Sequence, residues 1–141
     1  MGRIMRTLFI IPLILMSLVS FPSWGLTLED LVQRDGLTYQ KFTSTPFSGE
    51  VEGIWSGSYK KGKREGYWYI YYPTGVLLSK GHYKNGKKFG TWETYHDNGQ
   101  LFSMGDYEND KEEGYWVNYY PDGSFSSHFS GTYKNGVKVS D

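Results

Sequence analysis

The sequence predicts an all-β protein: an antiparallel meander of tandem β-hairpin repeats forming one elongated twisted sheet, with a short N-terminal helix ahead of it. Three observations lead there. A 24-residue self-similarity runs through the chain from Gly57 onward, each unit carries two turn signals, and the segments between turns are aromatic. Repetition at such a period marks an array in which each unit buries its face against its neighbours.

The N-terminal segment MGRIMRTLFIIPLILMSLVSFPSWG reads as an export signal over residues 1–25. It opens with Arg3 and Arg6, continues with an apolar stretch from Leu8 to Val19, and ends with small Ser23 and Gly25 before Leu26. The stretch is short for a bilayer span, which takes about 20 apolar residues. The expected destination is outside the cytoplasm, periplasmic or secreted, in a bacterial envelope. The chain contains no cysteine, which excludes disulfides, zinc–thiolate sites and thiol nucleophiles. Removing Arg3 and Arg6 from the 15 basic residues leaves 13 against 15 acidic ones, a net of −2. Such a balance gives no grip on a nucleic-acid backbone, so no nucleic-acid partner is expected.

Residues 26–46 supply the predicted helix and a lead-in strand. In LTLEDLVQRDG, Thr27 is a candidate N-cap, Asp30 stands three residues on, and Gly36 is read as the stop. Residues 47–141 form the repeat domain. Gly66, Gly90 and Gly114 open successive units. Trp68, Trp92 and Trp116 keep the same spacing, as do Tyr71, Tyr95 and Tyr119. Leu77 and Leu101, Gly81 and Gly105, and Tyr83 and Tyr107 follow in step. The last copy slips by two, to Gly131 and Tyr133. One turn signal is Asn85-Gly86, echoed at Lys61-Gly62 and Asn135-Gly136. The other is Thr74-Gly75, echoed at Asn98-Gly99 and Asp122-Gly123. Asn-Gly and Asp-Gly suit two-residue hairpins because both turn residues need positive φ.

Two-residue turns at every signal set Trp68 opposite Gly81 and Tyr72 opposite Leu77, with Trp92 between Ser79 and Gly105. Trp55 then lies beside Trp68. This places Trp68, Trp92, Trp116, Gly81, Gly105, Leu77 and Leu101 in the structural core of the repeat, an indole packed among small residues. Tyr71, Tyr95 and Tyr119 fall on the opposite, mixed face and, with Tyr69 and Phe102, are the candidate interaction residues. The basic turns, Lys60, Lys61, Lys63, Arg64, Lys84, Lys87 and Lys88, make a candidate rim along one edge.

The units GYWYIYYPTGVLLSKGHYKNGK and GTWETYHDNGQLFSMGDYENDK resemble the MORN-repeat family in its bacterial variant, whose unit runs like G-x-W-x-x-Y-x-x-(N/D)-G-x-L-x-x-x-G-x-Y-K-N-G-K. The likeness spans about residues 47–138. It implies consecutive hairpins in one sheet, used for protein–protein contact, scaffolding or, in some members, anionic lipid. The third copy departs from the pattern, with Asp110 where glycine is expected. That is expected to weaken the turn and reverse its charge.

No constellation supports catalysis, a metal or a cofactor: the histidines His82, His96 and His128 stand in different strand columns, with no clustered ligand set. The reading is an exported, non-enzymatic repeat module that contacts an unknown protein partner. The alternative is carbohydrate or cell-wall binding through the tyrosine column. A lesser one is binding of an anionic membrane surface through the basic turns.

Overall fold

The computed structural model describes residues 25–141, so the expected signal segment lies outside the described residues except for Gly25. The strands run in order: β1 (Leu31–Arg34), β2 (Leu37–Gln40), β3 (Gly49–Val51), β4 (Trp55–Lys60), β5 (Lys63–Tyr71), β6 (Leu77–Lys84), β7 (Lys87–Tyr95), β8 (Leu101–Glu108), β9 (Lys111–Asn118), β10 (Gly131–Lys134) and β11 (Val137–Ser140). Strands β3 to β11 form one nine-stranded antiparallel meander in sequence order, and β1 pairs only with β2.

The expected N-terminal helix is corrected. It shrinks to one 3₁₀ turn, Leu28–Asp30, in which the Thr27 N–H donates to the Asp30 carboxylate at 2.9 Å. The chain then enters β1, because Asp35-Gly36 is a hairpin turn rather than a helix stop. Their φ values are +49° and +75°, the pair that a two-residue hairpin loop demands. Val32 and Thr38 suit the flanking strands, and Arg34 stacks 4.1 Å over the Tyr39 ring. This hairpin closes the start of the sheet. Thr38 N–H donates to the Gly62 carbonyl and Phe47 N–H to the Thr38 carbonyl, both at 2.9 Å, while Leu26, Leu28 and Leu31 pack on the core.

The core lies on one face of the sheet, and the Gly-x-Trp triplet builds it. Between the pairs Lys80–Glu93 and His82–Phe89, β6 spends one residue, Gly81, while β7 spends three, Gly90, Thr91 and Trp92. The same irregularity recurs between β4 and β5 and between β8 and β9. Gly90 enters this bulge at φ +64°, a region that glycine adopts without a Cβ penalty. The bulge swings the indole over the glycine of the preceding strand. A Cβ on Gly81 would overlap the Trp92 ring, and one on Gly57 or Gly105 would overlap Trp68 or Trp116 in the same way. Each indole N–H then donates to a carbonyl beside the bulge: Trp68 to Ser58 at 3.2 Å, Trp92 to His82 at 3.1 Å, and Trp116 to Asp106 at 3.2 Å. Trp92 therefore lies between Gly81 and Gly105. Ser79 faces Thr94 instead, and Trp55 faces Ile70 rather than Trp68.

Tyrosines fill the spaces between the indoles. Phe47, Tyr59, Trp68, Tyr83, Trp92, Tyr107, Trp116 and Tyr133 form one unbroken run of tilted and edge-to-face rings, neighbours 5.0–6.3 Å apart. Such pairs contribute about 0.5–1.5 kcal/mol beyond their area burial. Trp68 is 0% and Trp92 1% exposed, although the sheet has a single layer. At the far end no fourth tryptophan follows. The Lys138 stem crosses Gly131 in its place, and the ammonium donates to the His128 carbonyl at 3.0 Å.

The other turns are three-residue loops, not the two-residue turns expected. Tyr72 N–H bonds the Val76 carbonyl at 2.8 Å across Pro73-Thr74-Gly75, with Gly75 at φ +86°. The Asp97-Asn98-Gly99 and Pro121-Asp122-Gly123 loops close alike. In the first two, a one-residue bulge at Leu78 or Phe102 takes up the added residue, so Trp68 meets Gly81 and Trp92 meets Gly105. The slip in the last copy is absorbed before β10, where Asn118 is held by the Ser130 hydroxyl at 2.8 Å and by the Phe129 carbonyl at 2.8 Å.

Gly81→Ala is expected to lower stability by about 1–3 kcal/mol, the cost of overpacking a filled site, read as a shift of the urea midpoint. A variant as stable as the parent contradicts the close approach of indole and backbone.

Candidate functional site

With one face given to the ring ladder, the opposite face is free of any covering layer. A row of direct cross-strand neighbours runs over it: Tyr69, Lys80, Glu93, Met104 and Val117. At its centre Lys80 pairs with Glu93 at 3.1 Å, and the Tyr95 hydroxyl donates to the same carboxylate. The Tyr95 hydrogen bond and Lys80 hold the Glu93 carboxyl below its usual range, and the Glu93 bond raises Lys80.

Tyr71, Tyr95 and Tyr119 are half-buried on this face. Their partners are Leu77, Leu101 and Phe125. Cross-strand partners share a face, so Leu77 and Leu101 are corrected from the core column to the tyrosine face. The bulges at Leu78 and Phe102 cause the switch, and Leu78 packs against the core instead. Tyr69 is 41% exposed on this face, whereas Phe102, at the bulge position that Leu78 holds in the unit before, is 40% exposed with its ring 5.0 Å from His96. Tyr67 and Tyr115, at the middle of their Gly-x-Trp triplets, are more exposed still, at 68% and 55%. Sequence reasoning passed over Tyr115; its signal was the triplet, whose middle residue must point away from the indole.

At the loop end, Tyr72 donates its hydroxyl to the Tyr95 carbonyl at 2.9 Å, and His96 places Nε2 3.0 Å from the Tyr119 carbonyl. His96 thus stands where a tyrosine stands in the unit before. His82 meets the Tyr67 ring at 5.0 Å and His128 the Phe129 ring at 4.8 Å. Among the described residues no three His, Cys, Asp or Glu groups gather as metal ligands.

The basic residues divide. Lys60, Lys61, Lys84 and Lys87 are exposed at the turns, and Lys63 is half-buried. Arg64 and Lys88 instead turn inward over the ladder. The Arg64 guanidinium lies 5.0–5.3 Å from the Trp55, Trp68 and Tyr83 rings, and the Lys88 ammonium 4.5 and 4.6 Å from Trp92 and Tyr107. Burial holds Lys88 below its ordinary pKa, against the pull of Asp110 and Glu112. Burial also raises Tyr83, and burial with the nearby Glu112 charge pushes Tyr107 up to about 12. The Asn109-Asp110 turn keeps the shape of its glycine-bearing counterparts, with φ +54° and +69°. Asp110 Oδ1 accepts the Lys88 N–H at 2.8 Å, which offsets the left-handed cost of about 1–2 kcal/mol.

A recess of about 490 Å³, unforeseen in the sequence, is lined by Leu28, Ile54 and Trp55 with Glu29 and Glu52 at the start of the array. Its polar lining consists of Thr27 and those two acids.

The raised tyrosines set a pH dependence. A free tyrosine titrates near 10, and folded Tyr107 near 12. Between these values the unfolded chain binds fewer protons than the folded one, so stability falls as pH rises. Lys88 acts oppositely, its depressed pKa adding stability as pH approaches the free lysine value from below. Urea midpoints are therefore expected to drop between pH 10 and 12, less steeply in Tyr107→Phe. Equal slopes contradict the assignment.

The family model described as the MORN repeat variant matches residues 64–85 and 90–109. No curated protein matches the chain.

Proposed function

We propose, from the premise that this chain carries MORN-variant repeats, that it is an exported binding module whose tyrosine face captures a protein partner. Repeats of this family are in general modules for contact with proteins or membranes, and the repeat itself is non-enzymatic. The observation that carries the reading is the division of labour between the faces. The ladder face consumes the tryptophans, while Tyr69, Met104 and Tyr115 remain 38–55% exposed on the other and have no layer to pack against. Large exposed side chains on a rigid sheet cost little entropy to order on binding, and tyrosine is a favoured anchor at protein interfaces. Export rests on the basic, then apolar, segment over residues 1–25.

The test is paired substitution. Tyr95→Ala should keep the fold and weaken capture of a crosslinked envelope partner, whereas Trp92→Ala should cost about 3–5 kcal/mol as a truncated core aromatic. If Tyr95→Ala unfolds as badly as Trp92→Ala, the second face serves the fold and the reading fails there. Retention on peptidoglycan in place of a protein would favour the glycan alternative. N-terminal sequencing of the exported chain is expected to begin at Leu26.

A further inference from the structure

We propose that the rim of the array holds, beside Phe89, a binding site for the side-chain carboxylate of an acidic peptide segment in a protein partner. Four two-residue turns of the nine-stranded sheet line that rim, and three of them give the N–H of their first residue an oxygen from within the chain. Lys61 donates to Ser48 Oγ at 2.8 Å, Asn85 to Glu65 Oε2 at 2.7 Å, and Asn135 to Glu113 Oε2 at 2.9 Å. Glu65 and Glu113 stand 24 residues either side of position 89, where the chain has Phe89. A phenyl ring cannot accept the bond, and among the described residues the Asn109 N–H has no acceptor.

The chemistry around that N–H is suited to a visiting carboxylate. A recess of about 230 Å³ opens there, lined by Lys84, Asn85, Lys87, Lys88, Phe89 and Asn109. Lys84 and Lys87 form no ion pair among the described residues, while the Lys88 ammonium lies over the ring ladder. Lys84 Nζ stands 5.2 Å from the Phe89 ring centre. The nearby acids do not line the recess: Asp110 Oδ1 accepts the Lys88 N–H, and Glu112 accepts the Tyr107 hydroxyl at 3.3 Å. A carboxylate placed on the Asn109 N–H would repeat the contact that Glu65 makes with Asn85, with ammonium groups beside it in place of solvent. The Phe89 ring gives the methylenes of a glutamate an apolar wall. Carboxylate is preferred to phosphate because the two neighbouring units set a carboxylate on this donor. The occupant's class rests on the protein-contact reading, but the site is on the turn rim and does not need the tyrosine face.

The test follows amide resonances of the ¹⁵N-labelled chain during titration with a hexaglutamate peptide. A saturable, salt-sensitive shift of Asn109 is expected, with Lys61 and Asn135 nearly still because their acceptors are already in place and neither lines the recess. Phe89→Glu restores the residue that two other units carry, so it is expected to fold, fill the site from within and bind the peptide about tenfold more weakly or less. An unmoved Asn109, or equal titration of the parent and Phe89→Glu, overturns the proposal. A shift produced by inorganic phosphate or phosphatidylserine vesicles but not by the peptide overturns it in favour of a phosphate source. Tyr95→Ala, titrated in parallel, should keep the Asn109 shift whatever happens to partner capture. Loss of the shift there overturns the assignment to the rim.

Discussion

An indole lying flat on a glycine backbone is the contact on which the rest of this protein depends. A one-layer sheet has no second layer to bury its side chains, so burial must come from within the layer itself. The Gly-x-Trp bulge achieves this by displacing the ladder, which leaves carbonyls at Ser58, His82 and Asp106 that the indole N–H groups bond. The glycines at 57, 81 and 105 are needed for a steric reason, since any Cβ would occupy the volume of the ring. Burial and hydrogen bonding are thus satisfied by one residue in each unit, and the tyrosines between them complete a continuous ring stack.

The stack has open sides, and the chain closes them with charge. Arg64 and Lys88 lay their apolar stems and cationic heads over the rings, an arrangement in which long basic side chains cover hydrophobic surface while remaining partly hydrated. Phe47 closes one end and Lys138 the other. Terminal units that differ from the internal ones are what a linear array requires, because the last face has no neighbour to cover it. Residues that look like an electrostatic rim in the sequence therefore divide into those that cover the core and those that remain available at the turns.

Much of the architecture was legible in the 24-residue period. The order of strands, the Asn-Gly turns and the pairing of Trp68 with Gly81 all follow from repetition and turn chemistry. The pairing, however, arose from two compensating differences: the loop at Pro73-Thr74-Gly75 has one residue more than supposed, and the bulge at Leu78 absorbs it. Where no compensation occurs the inference fails. Leu77 and Leu101 change face, and Ser79 moves from Trp92 to Thr94. The Thr27 to Gly36 segment failed for a different reason. Asp-Gly serves a hairpin as well as a helix end, and only the docking of β2 against Gly62 and Phe47 selects the hairpin.

The sequence by itself determined that this is a repeating β-hairpin array with an aromatic core on one face, because period, glycine spacing and turn residues are local properties written in each unit. Only the tertiary structure decided which residues share a face and which backbone groups lack a partner. Bulges cannot be counted from a pattern, and each one shifts every later side chain across the sheet. The consequence is plainest at Phe89, which in the sequence is one more aromatic residue. In the fold it stands where neighbouring units place the carboxylate that closes a turn.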